Sequence, residues 1–397
     1  MTARVTGLSD QRRPASIDAP PADGRRLMWL GTYERSYSRT RVLVSGLRSL
    51  GVAVEECHRP LWELTRHKAG SFLSPSRLPL TAGRFAAAWA SLAVAQRRAG
   101  PVDVVVAGYP AQPDAPFASM CARARGVPLV VDAMISLGDT LSGDRARVGS
   151  VAGAALDRLD RAAARRADLL ITDTEAHADY FADRFEVDRD RIAVVPVGAE
   201  PELFGHVPDD GRSTRALFYG KFSPLHGLDT VLEAARMPGA PPVSLIGDGQ
   251  LGEWLDAELE RDRPPGLERR HWVPYELLGR EIASSAMCLG IFGTSAKAAR
   301  VVPNKVYQAM AVGRAIVTAD TPAARELLDD GNNALLVPPG DPDALAEAMR
   351  SLASDPERRV RIGANAHRRF LETGAPPVVA QRFLGSLARL DDRGATR

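Results

Sequence analysis

The sequence predicts an α/β protein of two domains, each built on a parallel sheet covered by helices, with a cleft between them. Short apolar, β-branched segments alternate with Ala-, Leu- and Arg-rich helical stretches along almost the whole chain. This alternation is typical of parallel sheets that are buried on both faces. It runs as two series, separated by Pro196–Thr214, a segment rich in Gly, Pro and acidic residues. Because ligands of such sheets bind beyond the C-terminal ends of the strands, we expect the functional site in the cleft.

The predicted strands follow the apolar segments in chain order. In the first domain they are Leu27–Leu30, Val52–Glu55, Val102–Ala107, Leu129–Asp132, Leu169–Thr172 and Ile192–Val195. In the second domain they are Ala216–Tyr219, Val243–Ile246, His271–Val273, Met287–Ile291, Ala315–Thr318 and Ala334–Val337. Segments with the 3.6-residue period of helices lie between them, as in Ser38–Leu50 and Val151–Arg166.

Changes of composition divide the chain. Residues 1–25 are polar and rich in Pro, without the apolar run of a secretory signal, and are expected to form a disordered leader. Residues 26–198 form a Rossmann-like N-terminal domain, 199–213 a linker and 214–375 a second Rossmann-like domain. Residues 376–397 are a C-terminal helix and tail, and the return of that helix to the N-terminal domain is left open.

The bulk composition excludes several classes of protein. Hydrophobic residues make up 45% of the 397 residues and charged residues 25%, as in a soluble globular protein. The formal net charge is only +2, so we expect no nucleic-acid partner. The cysteines Cys57, Cys121 and Cys288 lack the spacing of a metal or redox site. An odd number of cysteines suits a reducing compartment, and we expect a cytoplasmic protein.

The first candidate for a phosphate-binding loop is Tyr219–Gly227. The strand ends at Gly220, the loop carries Lys221 and His226, and a helix is expected to begin near Leu228. A strand–loop–helix junction presents free N–H groups and the positive end of the helix dipole to an anion. The alternative is an ordinary loop with an exposed lysine.

The second candidate lies in Gly293–Gly313. Pro303 is expected to open a short helix that ends before Gly313. Lys305 falls in its first turn, where a bound phosphate gains from both the dipole and the ammonium group. Three cations and two amides of this segment face the predicted site, with no acid between residues 290 and 319: Lys297, Arg300, Asn304, Lys305 and Gln308. The alternative is a surface helix with a solvated lysine.

Three sequence blocks carry a family resemblance. The stretch VPNKVYQAMAVGRAIVTADTPAARELLDDGNNALLVPPGDPDALAEAM resembles the signature of group 1 glycosyltransferases (family 4, GT-B fold). YGKFSPLHGLDTVLEAA and SLIGDGQL resemble two further blocks, in the same order. The resemblance covers Ala216–Ser354 well and the N-terminal half loosely, through GTYERSYSRTRVLVSGLRSLGVAV.

The resemblance implies roles for individual residues. Gly220, Lys221 and His226 match the family positions that hold the donor diphosphate. Arg300 and Gln308 stand where the family usually has two glutamates, one beside the transferred sugar and one on the ribose. Gln308 keeps a carbonyl oxygen for a ribose hydroxyl, whereas Arg300 places a cation in the sugar-side position. The backbone near Val273 matches the region that holds the nucleobase.

The resemblance also implies a reaction. It predicts transfer of a sugar, with retention, from a nucleotide-diphosphate sugar to a glycan, lipid-linked or small-molecule acceptor. In that reaction the protein positions the reactants and stabilises the leaving diphosphate, with Lys305 among the catalytic residues. No DxD-like pair stands out, so we expect no metal and no cofactor. The alternative is a catalytically inactive nucleotide-sugar-binding or structural subunit, because both glutamates are replaced.

The acceptor is expected to meet the first loop of the N-terminal domain, Gly31–Thr40. We predict acceptor contacts from Gly31, Tyr33, Ser38 and Arg39, or alternatively a capped helix start with Ser36 or Ser38 as the cap. Asp132 ends a strand at the same edge of the sheet. It is predicted either to orient an acceptor hydroxyl as a catalytic carboxylate or to anchor a loop. His58 is predicted to be structural.

Two further patterns have competing interpretations. Gly247–Gly252 matches G-x-G-x-x-G, but it follows the second strand of its domain and lacks a following acidic strand end, which disfavours an NAD(P) site. The basic, aromatic stretch 62–100 has Glu63 as its one acid. We favour a pair of helices with a solvated basic face over contact with an anionic membrane surface at the inner face of the cell membrane.

Overall fold

The computed structural model describes residues 24–62, 78–140 and 150–394. All but the last two residues of the predicted leader lie outside these ranges. So do residues 63–77 of the basic stretch, among them the basic or aromatic residues Arg66, His67, Lys68, Phe72 and Arg77. In the described chain, two parallel sheets of six strands each are covered by helices, which confirms the predicted α/β class with two Rossmann-like domains.

The N-terminal sheet contains the first half of the strands. They are β1 (Arg26–Gly31), β2 (Ala53–His58), β3 (Val104–Ala107), β4 (Leu129–Met134), β5 (Leu169–Thr172) and β6 (Ile192–Val194). The spatial order is β2-β1-β3-β4-β5-β6. The helices between them are α1 (Ser38–Ser49), α2 (Leu78–Arg98), α3 (Ala115–Arg125), α4 (Ser150–Arg166) and α5 (Glu175–Phe185).

The C-terminal sheet has the strand order of a doubly wound dinucleotide-type fold. Its strands are β7 (Ala216–Lys221), β8 (Val243–Asp248), β9 (Glu268–Arg270), β10 (Met287–Leu289), β11 (Ala315–Ala319) and β12 (Leu335–Val337). Its helices are α6 (Leu228–Arg236), α7 (Gly252–Arg261), α8 (Leu278–Ala283), α9 (Asn304–Val312), α10 (Pro322–Leu327), α11 (Pro342–Ser354) and α12 (Pro356–Thr373). The order β9-β8-β7-β10-β11-β12 reverses between β7 and β10, where open sheets of this type bind ligands.

Burial on both faces explains why the strand predictions succeed. Every residue of β3 and β5 is buried, so these strands read as continuous apolar runs in the sequence. Two hydrophobic clusters cover the faces of the first sheet, and two cover those of the second. Each predicted segment except one therefore overlaps the strand that the structure contains.

The exception is the predicted strand His271–Val273. The structure has β9 at Glu268–Arg270, three residues earlier. This strand lies at the edge of the sheet, where polar side chains are tolerated because one side of the strand faces solvent. Arg270 makes an ion pair with Glu281 on α8. The prediction was wrong because it required apolar residues at a position that does not need them.

The chain crosses twice between the domains. After β6 it passes to the C-terminal domain, and after α12 it returns. The last helix, α13 (Pro376–Gly394), packs against α1 and places Val379, Phe383 and Leu387 in the cluster that covers one face of the N-terminal sheet. The C-terminal helix therefore belongs to the core of the N-terminal domain.

The described part of the basic stretch is mostly α2. This helix has no acidic residue, carries Arg97 and Arg98 in its last turn, and exposes the side chains of Leu80 and Val94. No helix among the described residues is long and apolar enough to cross a bilayer.

Candidate functional site

Three residues converge at the reversal of strand order in the C-terminal sheet. Gly220, the last residue but one of β7, has a positive φ of +127°. A Cβ atom on Gly220 would lie 3.7 Å from Cε of Lys305, 3.9 Å from its Nζ and 3.9 Å from Cε1 of His226. The structure thus brings together the glycine, the histidine and the lysine that the two sequence segments supply.

Lys305 is a buried cation without a hydrogen-bond partner. Its Nζ has no partner among the described residues and lies 3.8 Å from the centre of the Phe218 ring. Burial lowers the pKa of Lys305 to about 7, because the charged ammonium loses its hydration. An unpaired buried ammonium costs free energy unless an anion pairs with it.

The start of α9 adds backbone donors to this ammonium. The residue before the helix is Pro303, and no side chain caps the helix N-terminus. The first N–H groups of a helix are free to bind an anion, and the helix dipole favours negative charge there. Lys305 lies in this first turn, so the helix end and the ammonium favour the same anionic group.

His226 is the second buried polar group of the site. Its ring donates to the backbone carbonyl of Lys221, and its Nδ1 has no partner among the described residues. Burial and the neighbouring cations Lys305 and Lys297 hold the pKa of His226 well below its usual range. The ring is therefore neutral at physiological pH. Lys221 itself is exposed at the end of β7.

Gln308 is engaged within the protein. The Tyr219 hydroxyl donates to its Oε1 at 2.7 Å, and its Nε2 donates to the Tyr275 hydroxyl at 3.0 Å. This carbonyl oxygen already accepts one hydrogen bond, and a ribose hydroxyl would use its second lone pair, so the ribose contact stays a prediction. Tyr275 lies just beyond Val273, which is half-buried in the same hydrophobic cluster.

The hydrogen-bond chain continues to the N-terminal domain through Glu200. The Tyr275 hydroxyl lies 3.3 Å from both oxygens of this carboxylate, and Ser38 on α1 donates to it at 2.6 Å. Ser38 therefore bonds within the protein, and its side chain does not cap α1. Its contact with an acceptor stays a prediction. Asn304 also interacts with the side chain of Tyr37, so both domains contribute to the walls of the cleft.

The predicted acceptor residues Arg39 and Asp132 bind each other. Each has 1% of its side chain exposed, and Nε of Arg39 lies 2.8 Å from both carboxylate oxygens. Nη1 of Arg39 also donates to the carbonyl oxygen of Val195. The two charges therefore pair within the protein, which fits the alternative in which Asp132 anchors a loop. Contact of Arg39 with an acceptor and a catalytic role of Asp132 stay predictions.

Tyr33 and Gly31 have structural roles in the first loop. Tyr33 is fully buried, and its hydroxyl donates to Glu56 at 2.8 Å. Its contact with an acceptor stays a prediction. His58 bonds through Nε2 to the backbone oxygen of Tyr33, in line with its predicted structural role. A Cβ atom at Gly31 would lie 2.6 Å from the Asp114 carboxylate, which explains why a glycine is needed there.

Arg300 reaches across to the N-terminal domain. Its guanidinium pairs with Asp139 at 2.7 Å and lies 4.0 Å from the centre of the Tyr180 ring. Its backbone oxygen accepts a hydrogen bond from Thr174 at 2.6 Å. Its charge is thus paired with an acid from the other domain, and donor binding by Arg300 stays a prediction. We call Arg300, Asp139, Tyr180 and Thr174 the interdomain clasp.

Lys297 strengthens the same contact. Its Nζ donates to the hydroxyl of Thr140 at 2.9 Å, next to Asp139. The loop after β10 is therefore held against the N-terminal domain at both of its cations. Sequence reasoning missed this because the compensating groups are more than a hundred residues away.

Reversing the charge of Arg300 is expected to loosen the two domains. Arg300→Glu would place a second carboxylate beside Asp139 and remove the cation from the Tyr180 ring. We expect small-angle scattering to give a larger radius of gyration for this variant than for the wild type. The double exchange Arg300→Asp with Asp139→Arg should restore compactness, with a coupling energy of about 0.5–3 kcal/mol between the two positions. An unchanged radius in Arg300→Glu would show that the clasp does not hold the domains.

Both domains match family models. Residues 213–355 match a model described as glycosyl transferases group 1, and residues 37–198 match one described as a glycosyl transferase 4-like domain. Similar curated proteins are the D-inositol 3-phosphate glycosyltransferases of Stackebrandtia nassauensis and Nocardia farcinica, each 28% identical to this chain. The alignments cover 50% of this chain and 49% and 48% of those proteins, so the chain spans about half the length of the curated relatives it matches.

Solved structures resemble most of the chain in fold. A structure of the Anabaena protein HepE in complex with UDP is 16% identical, with a TM-score of 0.65, and the match covers 91% of this chain and 99% of HepE. The sucrose-phosphate synthase of Thermosynechococcus elongatus is 14% identical, with a TM-score of 0.68, and the match covers 94% and 97% of the two chains. At these identities the likeness concerns the fold.

Proposed function

The chain belongs to the group 1 glycosyltransferases with the GT-B fold, and on that premise we propose that it transfers a sugar from a nucleotide-diphosphate sugar to an acceptor hydroxyl. The observation that carries the proposal is the buried, unpartnered Lys305 Nζ, which faces Gly220 at the N-terminus of α9. A diphosphate is the anion that suits this position, because it pairs with the ammonium and accepts from the free N–H groups of the helix.

In the proposed reaction the bond between the anomeric carbon and the diphosphate oxygen breaks, and its electron pair stays on the diphosphate. The acceptor oxygen bonds to the anomeric carbon, and its proton passes to an oxygen of the leaving diphosphate. Lys305 contributes by stabilising the charge that develops on that group. We propose retention because the acceptor hydroxyl can pass its proton to the leaving diphosphate. To do so, it approaches the anomeric carbon from the same face that the diphosphate leaves. The anomeric configuration of the product, measured by NMR, tests this part.

Which nucleobase the donor carries is a separate question. The HepE structures hold UDP and UDP-glucose, which supports UDP-sugars as the first donors to test. The curated relatives are named D-inositol 3-phosphate glycosyltransferases, which supports a phosphorylated polyol as one acceptor to test.

A second candidate is a nucleotide-sugar-binding subunit without transfer activity. It is favoured by the engagement of Gln308 and Arg300 within the protein, at the positions where the family usually has glutamates. The two candidates differ in turnover but share donor binding.

A donor screen tests the proposal. UDP-, GDP- and ADP-sugars are titrated into the protein by calorimetry, and the free nucleoside diphosphate is then measured after long incubation with and without a panel of acceptors. Binding with release of nucleoside diphosphate supports the transferase, and binding without release supports the inactive subunit. If no nucleotide sugar binds, both candidates fail.

A further inference from the structure

A cavity of about 700 Å³ lies beside the site around Lys305 and is distinct from it. Its walls come from the first turns of α6 and α7, from the loop after β10 and from Asp139 of the N-terminal domain. Gly220, Lys305 and Gln308 do not line it, so the diphosphate proposed for that site leaves the cavity open. Its volume suits a small-molecule ligand.

One wall of the cavity is apolar and aromatic. Trp254 and Leu251 form this wall at the start of α7. The side chain of Trp254 is 37% exposed, and the residue belongs to none of the hydrophobic clusters of the described chain. Its position is thus not explained by packing of the core. A large, exposed indole face is a surface on which a flat apolar ligand face can lie.

The lining also contains polar and charged groups, among them Lys297 and Asp139. It carries the carboxylate of Asp229 and the hydroxyls of Thr294 and Ser295. Among the described residues, the Asp229 carboxylate, the Thr294 hydroxyl and the indole N–H of Trp254 have no hydrogen-bond partner. A carboxylate accepts two or more hydrogen bonds, and a hydroxyl both donates and accepts. These groups are available to a ligand that is rich in hydroxyls.

A sugar ring suits both the apolar and the polar groups of the lining. Its C–H groups form an apolar face that can lie on an indole ring, and its hydroxyls project outward from the ring edge. A lipid tail would leave the Asp229 carboxylate and the Thr294 hydroxyl without partners. The lining holds two carboxylates, Asp139 and Asp229, and one lysine, Lys297, so its charge does not favour an anionic headgroup.

The interdomain clasp connects the cavity with the site around Lys305. Asp139, which lines the cavity, is held by Arg300, and the loop Thr294–Lys297 leads through the clasp towards α9. A ligand in the cavity therefore lies beside the loop that approaches Lys305. The groups first predicted to contact an acceptor, Arg39 and Asp132, are by contrast satisfied by each other.

We propose that this cavity binds a carbohydrate acceptor, with a sugar ring on Trp254 and its hydroxyls on Asp229 and Thr294. The proposal rests on the glycosyltransferase function proposed above and adds the chemical class of the acceptor.

The test uses full-length protein labelled with 5-fluorotryptophan. The chain has five tryptophans, and Trp254→Phe assigns the relevant ¹⁹F resonance. Maltose, cellobiose, lactose and chitobiose are titrated at a constant, saturating concentration of UDP or GDP. We expect at least one disaccharide to shift the Trp254 resonance saturably, and Asp229→Asn to weaken that binding about tenfold, as for a lost hydrogen bond to a charged group. The resonance of Trp272, which is 74% exposed and lies outside the cavity, is the matched control.

Two outcomes would overturn the proposal. One is that no disaccharide shifts the Trp254 resonance, and the other is that Trp272 shifts to the same extent. Calorimetry with UDP and GDP separates this failure from failure of the proposed function. Nucleotide binding that is equal in the wild type and in Trp254→Ala, without any effect of sugars, refutes the cavity alone. Absence of nucleotide binding in the wild type refutes the function.

Discussion

Replacement of Lys305 by methionine is expected to abolish detectable binding of nucleotide sugars while the protein remains folded. The ammonium is buried and without a partner among the described residues, so the diphosphate would be its counter-ion. Loss of one member of a buried charge pair costs about 2–5 kcal/mol, which corresponds to roughly 30- to several-thousand-fold in affinity. Methionine is similar in length and packs well against an aromatic ring such as that of Phe218.

The stability of this variant makes the test specific. In the free protein the Lys305 ammonium pays for its lost hydration without a partner, so Lys305→Met should unfold at the same temperature as the wild type or a higher one. Isothermal titration calorimetry with UDP- and GDP-sugars measures the affinity, and differential scanning calorimetry measures the unfolding temperature. Lys221→Met is the control, because Lys221 is exposed and should contribute far less. Wild-type affinity in Lys305→Met would place the donor elsewhere.

Removal of the Asp132 carboxylate is expected to destabilise the N-terminal domain by about 3–5 kcal/mol. Asp132→Ala would leave the guanidinium of Arg39 buried without a counter-ion, and both side chains are almost completely buried. The double variant Arg39→Met with Asp132→Leu removes both charges and should recover most of the lost stability. Urea unfolding of the single and double variants measures the two effects.

Asp132→Ala and a further variant, Asp132→Asn, separate a structural from a catalytic role of Asp132. If the carboxylate anchors the loop, the folded fraction of Asp132→Ala should retain donor binding and most of its turnover. A stable Asp132→Asn variant with wild-type unfolding and no transfer would instead support the catalytic role that the position of Asp132 in the sequence suggested.

The fold followed from local patterns because most strands are buried on both faces. The segment 169–172 reads as a continuous apolar run, and the structure has β5 at those residues. The edge strand β9 was missed because polar residues are allowed there. In the site, the meeting of His226 and Lys305 was predictable, since a strand end and the following helix starts share one edge of a parallel sheet.

The partners of the site residues were not predictable from local patterns. Arg300 pairs with an acid in the other domain, and Glu200 in the linker accepts from Ser38 at 2.6 Å. Such contacts depend on how the two domains lie against each other, which no periodicity within one segment reports. A resemblance assigned Gln308 a ribose contact, but its carbonyl oxygen accepts from Tyr219, whose position relative to α9 depends on packing.

The ionisation of Lys305 tests the central claim most directly. The chain contains four lysines, so ¹⁵N- and ¹³C-labelled lysine gives few signals, and Lys305→Met assigns the one of interest. Burial lowers the pKa of Lys305 to about 7 in the free protein, and a bound diphosphate should raise it. Binding of a nucleotide sugar above pH 7 should therefore take up a proton, and the affinity should fall as the pH rises from 7 towards the pKa of the complex.

We expect the Lys305 signal to titrate near pH 7 without ligand and at a clearly higher pH with saturating UDP- or GDP-sugar. If the Lys305 signal titrates in the ordinary lysine range without ligand, or if nucleotide sugars bind and leave its titration unchanged, then the diphosphate does not bind at Lys305.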